Sequence, residues 1–317
     1  MMQPLLMRLR ARRPDSEIHV LAPAWSAPLL ARMPEVAATI ENPFAHGAFD
    51  WAGRQALGRR LANAGFAQAY VLPNSWKSAL TPFFAGIPER IGYTGEARFV
   101  LLNRRLPKST LPRLVDRYAA LAGKFPDQTP NPRLTSTPEQ RRAARAALGL
   151  PHDAAPVVFC PGAEYGPAKR WPIHHYAALA KKLGAGRAAA DSVWIVGSAK
   201  DAPVGEEIAA RAEGAALNLC GRTNLAQALD LIAGARAVVS NDSGLMHVAA
   251  ALDRPLVALY GSSSPAYTPP LSPRATIVSL GLACSPCFRR ACPLPAPDTL
   301  RCLEDIAPER VFATLPQ

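Results

Sequence analysis

A polar turn between an apolar strand and an apolar helix carries residues well suited to chemistry. Residues 237–240 predict a buried strand, residues 241–243 are Asn-Asp-Ser, and an apolar helix begins near Gly244. Asp and Ser are typical helix N-cap residues, and glycine lets a ligand approach the backbone closely. Because the first N–H groups and the dipole of a helix attract anions, this turn predicts a phosphate site, with His247 one turn into the helix. An ordinary capped turn is the alternative.

Two further loops in the same half of the chain carry charged residues after glycine. The loop that follows Gly162 contains Lys169 and Arg170 just before a predicted helix, and two adjacent cations there suit a diphosphate. The strand that ends at Gly197 is followed by Asp201. An acidic residue there could bind ribose hydroxyls, but it is equally typical of a solvent-exposed loop. Such loops meet at the carboxyl edge of a parallel sheet. Together the three loops predict a half-site for a nucleoside diphosphate group.

Composition predicts a two-domain protein with an anionic partner. The chain has 317 residues, 49% of them hydrophobic, and a formal net charge of +12, which favours a phosphorylated substrate or an anionic lipid surface. Lys and Arg are dispersed along helices without interleaved aromatic residues, so no nucleic-acid partner is expected. No apolar run is long enough to span a membrane, and the basic amphipathic segment at residues 1–12 lacks the order of a signal peptide. Cytoplasmic localisation is therefore expected.

Short strands alternate with helices in both halves, a pattern typical of parallel α/β sheets. In the first half, strands are predicted over residues 17–23, 37–40 and 68–73. A proline-rich stretch over residues 125–156 separates the halves, and we place the boundary near residue 150, which gives domains of residues 1–150 and 151–317. In the second half, strands are predicted over residues 157–162, 192–198, 217–219, 237–240 and 255–261, the last of which closes the sheet.

Five segments of the chain resemble the lipopolysaccharide heptosyltransferase II family, a part of glycosyltransferase family 9. They are residues 72–80, 83–88, 161–172, 240–252 and 261–271, in the family's order along nearly the whole chain. The resemblance implies a GT-B fold, in which two Rossmann-like domains face a cleft. It implies that L-glycero-D-manno-heptose passes from ADP-heptose to the first heptose of heptosyl-Kdo2-lipid A. The expected enzyme is an inverting glycosyltransferase that needs no metal or other cofactor and acts at the periphery of the inner membrane.

The resemblance also implies roles for the residues of the three loops. Asp242 would hold the heptose hydroxyls, and Lys169 would neutralise the diphosphate as ADP leaves, so these two are the expected catalytic residues. The backbone of Ser243, Gly244 and Leu245 would cradle the diphosphate. Further donor contacts are expected at Arg170, Asp201 and His247.

Acceptor contacts are expected in the first half, mainly after the predicted strand at residues 68–73. The cations there would meet carboxylates and phosphates of the acceptor, although a solvated surface explains the same charges. The expected contacts are Asn74, Ser75, Lys77, Arg90 and Arg98.

The resemblance assigns the role of general base to no residue of this sequence. Family members begin with a strand and a glycine–aspartate loop whose aspartate is the proposed base, and this sequence begins at about the following helix. Because the first strand of a doubly wound sheet is central, we expect a first domain with a gap between strands. A start codon upstream of Met1 is favoured. The alternatives are a truncated, non-catalytic binder of ADP-sugar or anionic lipid, and a GT-B enzyme for another nucleotide sugar.

Four of the six cysteines lie near the carboxyl terminus, at Cys284, Cys287, Cys292 and Cys302. In a cytoplasmic chain such a cluster favours a metal site over disulfides. The spacing between the last two is too wide for a second C-x2-C pair, which argues against zinc. Similar cysteines recur in the family, so we expect a structural knot, with zinc as the alternative. The other two, Cys160 and Cys220, are predicted core residues.

Overall fold

The computed structural model describes residues 1–185 and 193–316, which fold as two compact α/β units. Unit 1 comprises residues 1–27 and 35–130, and unit 2 comprises residues 28–34 and 131–317. The stretch between Pro130 and residue 150 belongs by its contacts to unit 2. Within the described ranges, no helix is long and apolar enough to cross a membrane.

Unit 1 contains two small parallel sheets that are not hydrogen-bonded to each other. The first pairs β1 (His19–Ala22) with β2 (Ala38–Glu41), and the second has β3 (Gln68–Val71), β4 (Glu89–Tyr93) and β5 (Arg104–Leu106) in that order. β4 and β5 were not predicted, because they are short and begin with charged residues that interrupt the apolar pattern. The helices of this unit are α1 (Gln3–Arg12), α2 (Ala27–Leu30, which crosses into unit 2), α3 (Trp51–Leu61), α4 (Leu80–Phe84) and α5 (Leu114–Ala120).

The apolar core of unit 1 is divided into small clusters. One gathers Val71, Ala79, Leu80, Leu101 and Leu102, and the other gathers Leu5, Tyr93, Leu121 and Ala122. Small clusters stabilise less than one continuous core, because buried apolar area sets the hydrophobic contribution.

We therefore expect unit 1 to open locally more readily than unit 2. Amides of β1 to β5 should exchange with solvent at least about tenfold faster than those at the centre of the unit 2 sheet, because fewer buried contacts hold them. Native-state hydrogen exchange measures this difference, and the edge strands of unit 2 are the internal control. Equal protection of the amides of β1 to β5 and of the amides at the centre of the unit 2 sheet would contradict the expectation.

Unit 2 contains one six-stranded parallel sheet. Its strands are β6 (Val157–Cys160), β7 (Val193–Ile195), β8 (Ala216–Asn218), β9 (Ala237–Asn241), β10 (Leu256–Leu259) and β11 (Ala275–Val278). The spatial order is β11-β10-β9-β6-β7-β8. The first strand, β6, is thus central, and the chain direction across the sheet reverses between β6 and β9, where open α/β sheets bind ligands.

The edge of this sheet differs from the prediction. β10 was expected to close the sheet, but β11 pairs with its outer side over Leu256–Leu259 and Ala275–Val278. That expectation was wrong because β11 is short and half exposed, so it has no continuous apolar run. Ser192, the first residue of a predicted strand, lies outside the described residues.

Helices cover both faces of the unit 2 sheet. Because strand side chains alternate, Val158 and Cys160 enter one core while Val157 and Phe159 enter the other. The helices are α6 (Pro138–Ala147), α7 (Ile173–Gly184), α8 (Ala202–Arg211), α9 (Leu225–Ala233), α10 (Gly244–Ala251), α11 (Arg301–Glu304) and α12 (Pro308–Thr314). Both α6 and α9 begin with a capping box, which satisfies their first backbone N–H groups. Cys160 and Cys220 are buried in these cores, as predicted.

The segment at residues 28–34 joins unit 2 through a buried ion pair. The Arg32 guanidinium lies 2.7 Å from the Asp230 carboxylate, and both side chains are nearly inaccessible to solvent. Asp230 also accepts a hydrogen bond from Ser136 at 2.7 Å. A buried charge is stable only when it is paired and hydrogen-bonded, so these contacts explain why this short segment packs with residues far along the chain.

Candidate active site

The mouth of α10 is open and lacks a side-chain cap. Ser243 occupies the N-cap position in an extended conformation, without a side-chain hydrogen bond to the first turn, and its hydroxyl lies 3.3 Å from that of Ser240. A Cβ added to Gly244 would meet nothing within 4 Å. Of the two residues predicted to suit the N-cap, Ser243 occupies that position and Asp242 does not. Gly244 is exposed, so the N-terminus of the helix is accessible to an anion.

Asp242 is instead paired with Lys169, the other expected catalytic residue. The Lys169 ammonium lies 2.6 Å from Asp242 Oδ2, and the carboxylate side chain is only 5% exposed. The same ammonium lies 5.2 Å from the centre of the Tyr165 ring, a cation–π contact. Two residues that are 73 positions apart are thus brought together beside the helix mouth.

Asn241 holds the loops of the site in place. Its Oδ1 accepts hydrogen bonds from the backbone N–H of Trp171 at 3.0 Å and from the Tyr176 hydroxyl at 3.1 Å. Its Nδ2 donates to the carbonyl of Pro161 at 2.7 Å. This fully buried carboxamide links the end of β9 to the ends of the Lys169 loop. Asn241 was not predicted as a site residue, because an asparagine at a strand end has no local signature of such contacts.

The loop that carries Lys169 is supported by the cysteine-containing segment. The Tyr165 hydroxyl donates to the carbonyl of Phe288 at 2.7 Å, and the N–H of Ala168 donates to the carbonyl of Arg290 at 3.1 Å. A Cβ at Gly166 would lie 2.4 Å from the same Arg290 oxygen, so a larger residue would force the two segments apart. Residues 288–290 therefore fix the path of the Lys169 loop.

Three side chains near the turn have buried polar atoms without a partner among the described residues. They are His247 Nδ1 and the hydroxyls of Ser262 and Ser263, which follow β10 next to the end of β9. Burial is the largest cause that lowers the pKa of His247, to about 4, so this imidazole is neutral at physiological pH. Unpartnered buried polar groups are costly and call for a ligand or another partner. The two serines were not predicted as site residues.

Asp201 lies near the loop after β6, and Arg170 lies within that loop. The Asp201 carboxylate accepts from the N–H and the hydroxyl of Ser198, at 3.0 and 2.7 Å, and thus caps the short turn that contains it. A Cβ added to Gly162 would lie 2.6 Å from this carboxylate, so Asp201 is close to the β6 loop. Arg170 is half-buried, and its Nε has no partner among the described atoms. The donor contacts expected of both residues stay predictions.

The expected acceptor residues of unit 1 divide into two groups. Arg98 is buried and donates to the carbonyl of Pro73 at 2.7 Å, and Arg90 donates to the carbonyls of Leu101 and Ile87 at 2.7 and 2.6 Å. Both guanidinium groups are therefore engaged in holding loops. The other three, Asn74, Ser75 and Lys77, are exposed or half-exposed at the carboxyl end of β3.

The four C-terminal cysteines are free thiols. Burial, and to a smaller extent the neighbouring Cys284, Cys287 and Cys292, raise the pKa of Cys302 to about 11. The sulfur of Cys292 also accepts a hydrogen bond from the N–H of Leu300 at 3.3 Å. The structural zinc site stays a prediction.

If zinc is bound there, purified protein should contain about one zinc per chain, and a strong chelator should lower its melting temperature, because metal binding is coupled to folding. A Cys284→Ser, Cys287→Ser double variant should contain no zinc and should not respond to the chelator. Metal-free wild-type protein with an unchanged melting temperature would leave packing alone as the role of these thiols.

A second group of metal-type ligands occurs in the described ranges. The ligand atoms of His174, His175 and Glu304 lie within 4.8 Å of one another. His174 Nε2 lies 3.0 Å from the Glu304 carboxylate, and His175 Nε2 lies 2.7 Å from its backbone carbonyl. These contacts join the start of α7 to the end of α11.

The topology and the site define unit 2 as a Rossmann-type unit with an uncapped helix N-terminus at its switch point. The model of glycosyltransferase family 9 (heptosyltransferase) matches residues 54–296. Lipopolysaccharide heptosyltransferase 2 of Escherichia coli K12 is 48% identical over 88% of this chain and 84% of that protein. Lipooligosaccharide heptosyltransferase 2 of Haemophilus influenzae is 49% identical over the same shares. The solved structure of E. coli ADP-heptose LPS heptosyltransferase II matches with a TM-score of 0.85 at 43% identity, and covers 99% of this chain and 92% of that chain.

The chain belongs to glycosyltransferase family 9. It is a glycosyltransferase, and the structural match confirms the expected α/β class and GT-B fold. The resemblance found in the sequence is likewise confirmed.

Proposed function

We propose that this chain transfers L-glycero-D-manno-heptose from ADP-heptose to the first heptose of heptosyl-Kdo2-lipid A. The proposal is supported by its similarity to heptosyltransferase 2 proteins of two species and to a structure described as an ADP-heptose enzyme. The observation that carries it is the Lys169–Asp242 pair beside the uncapped mouth of α10. A cation, a carboxylate and free helix N–H groups together suit a sugar that leaves a diphosphate.

In the proposed reaction, negative charge develops on the diphosphate as the bond to the sugar breaks. The N–H groups of Ser243, Gly244 and Leu245 and the Lys169 ammonium stabilise this charge, as preorganised donors do. Asp242 accepts hydrogen bonds from heptose hydroxyls and orients the sugar. The neutral imidazole of His247 is placed one turn into the same helix, where it can donate a hydrogen bond to the bound nucleotide sugar.

We propose direct displacement with inversion at the anomeric carbon and no metal. A general base must then take the proton of the acceptor hydroxyl, and we assign that role to no residue of the described chain. The charge on the diphosphate is met by Lys169 and by the helix dipole, so a divalent cation has no necessary part in stabilising it.

The acceptor is proposed to be anionic and anchored in the cytoplasmic face of the inner membrane. Lys77 and the polar side chains of Asn74 and Ser75 lie at the carboxyl end of β3 and would meet its sugars and phosphates. Arg98 would position this loop through its hydrogen bond to Pro73.

The test is transfer by purified protein from ADP-heptose to heptosyl-Kdo2-lipid A, followed by product mass and anomeric configuration. We expect an inverted anomer and an unchanged rate in EDTA. A higher kcat/KM with another nucleotide sugar would favour the alternative donor, and ADP binding without transfer of any sugar would favour a non-catalytic binder. Retention of configuration would overturn the displacement mechanism.

The unpartnered serines provide an independent test of the donor site. Removing a buried hydroxyl that lacks a hydrogen bond costs little stability, so Ser262→Ala and Ser263→Ala should change the free energy of unfolding by less than about 1 kcal/mol. If the hydroxyls contact the bound donor, the same variants should weaken ADP-heptose binding by about fivefold or more. Calorimetry and thermal unfolding measure the two effects. Ser272→Ala, after β10, is the control for affinity, because its hydroxyl donates to Asp253 outside the proposed site. Unchanged affinity would remove both serines from the site.

A further inference from the structure

Two adjacent histidines at the start of α7 share one carboxylate at the end of α11. His174 Nε2 lies 3.0 Å from the Glu304 side chain, and His175 Nε2 lies 2.7 Å from the Glu304 backbone carbonyl. One ligand atom from each of the three side chains falls within 4.8 Å of the other two. Two imidazoles and a carboxylate form a ligand set that is typical of zinc, with a fourth position left for water.

The separations within this cluster suit a single ion. Ligand atoms that bind a tetrahedral zinc ion at about 2 Å stand about 3.3 Å apart. The contact between His174 and Glu304, at 3.0 Å, is already close to that separation. Because no separation in the set exceeds 4.8 Å, small rotations of the side chains bring all three ligand atoms around one ion.

The cluster combines a fixed ring with accessible ligands. The His175 ring stacks at 5.4 Å on the ring of Trp171, which is buried, and the His174 ring lies 4.3 Å from that of His175. The side chains of His174 and Glu304 are 53% and 44% exposed, so an ion and its water can reach them. Ligands that are held in place before binding lose less conformational entropy when they bind.

The cluster also joins segments that are distant in sequence. His175 and the Glu304 carbonyl are 129 residues apart. Close to them, Trp171 Nε1 donates to the carbonyl of Ile306 at 2.9 Å, and Val311 of α12 packs in the same apolar cluster as residues of α7. An ion bound by both segments would add to the contacts that hold the C-terminal helices on α7.

We propose that His174, His175 and Glu304 bind a zinc ion that fastens the C-terminal helices α11 and α12 to the start of α7. Imidazole and carboxylate ligands in a set of three favour Zn²⁺ over Mg²⁺ or Ca²⁺, which prefer sites made of oxygen atoms. The ion takes no part in heptose transfer. The inference is therefore independent of the proposed function and of the zinc site predicted at the four cysteines.

The test is calorimetry with zinc sulfate on Cys284→Ser, Cys287→Ser protein that has been treated with a chelator and dialysed, so that the cysteine site does not compete. We expect about one zinc per chain. Further substitution by His174→Gln or Glu304→Gln should weaken binding by about tenfold or more, because each removes a ligand. His152→Gln is the matched control, since it removes an exposed histidine of unit 2 outside the cluster, and it should leave the affinity unchanged.

Stability and exchange measurements test the proposed fastening. Zinc at about 100 times its dissociation constant should raise the melting temperature by about 3 °C or more. The amides of α11 and α12 should exchange with solvent about tenfold more slowly when zinc is bound. Neither effect should occur in the protein that also carries His174→Gln.

The outcomes that would overturn the inference concern the ligands. Absence of zinc binding would do so, and so would equal affinity in the His174→Gln protein. Cobalt bound in place of zinc should show no cobalt–thiolate charge-transfer band, and such a band would assign the metal to the remaining cysteines instead. Because His174 is largely exposed, its substitution should not impair folding. If the cysteine substitutions do, the same comparison in wild-type protein should show the loss of one zinc per chain on His174→Gln.

Discussion

The Asp242→Ala variant is expected to transfer heptose about 30- to 1,000-fold more slowly than wild type, which corresponds to a loss of about 2–4 kcal/mol of transition-state stabilisation. Asp242 is the buried carboxylate beside the mouth of α10, and it is proposed to accept hydrogen bonds from the heptose hydroxyls. The variant loses these hydrogen bonds. ADP affinity should stay the same or rise, because Lys169 is then no longer neutralised by a carboxylate. Steady-state kinetics and calorimetry with ADP measure the two quantities.

Asp242→Asn is the matched control for this variant. It keeps the size of the side chain and an oxygen that can accept from Lys169, but it lacks the charge. An intermediate loss of rate would show how much of the effect is electrostatic. Wild-type turnover by Asp242→Ala would remove Asp242 from the proposed mechanism.

Lys169→Ala should depress kcat and weaken ADP binding together, because the ammonium is proposed to meet the diphosphate in both the complex and the transition state. It should also destabilise the protein, since it leaves the 5% exposed Asp242 carboxylate without its partner; breaking a buried pair costs about 3 kcal/mol. These two effects must be separated before the rate is interpreted.

The Lys169→Met, Asp242→Asn double variant makes that separation. It has no buried charge at this position, so its melting temperature should return toward that of wild type while its rate stays low. A double-mutant cycle with the single variants then gives the coupling between the two residues. Recovery of activity together with stability would mean that the pair serves folding alone.

Much of unit 2 could be predicted because its signals are local. Apolar runs of strand length, glycine turns and helices with caps alternate along the chain, and they located β6, β9 and β10 to within a few residues. Lys169 and Asp242 were predicted as site residues because their loops follow strands whose carboxyl ends meet at one sheet edge. Their direct ion pair depends on the tertiary fold and could not be predicted from their separation along the sequence.

The residues that were missed depend on distant partners. Asn241 acts through hydrogen bonds to segments far along the chain, and the serines after β10 matter because burial leaves their hydroxyls without partners. Arg98 was expected to meet the acceptor because a sequence shows its charge but not the backbone carbonyls that engage it. β4, β5 and β11 were missed because their charged or exposed residues hide the alternation of a strand.

The carboxamide of Asn241 has a consequence for the order in which unit 2 gains function during refolding. Its three hydrogen bonds span separations of 70, 65 and 80 residues along the chain. Closing loops of that length carries an entropic cost and slows the formation of non-local contacts. Nucleotide binding should therefore recover no earlier than the pairing of β6 with β9, and an intermediate with native helix content but unpaired central strands should bind no ADP.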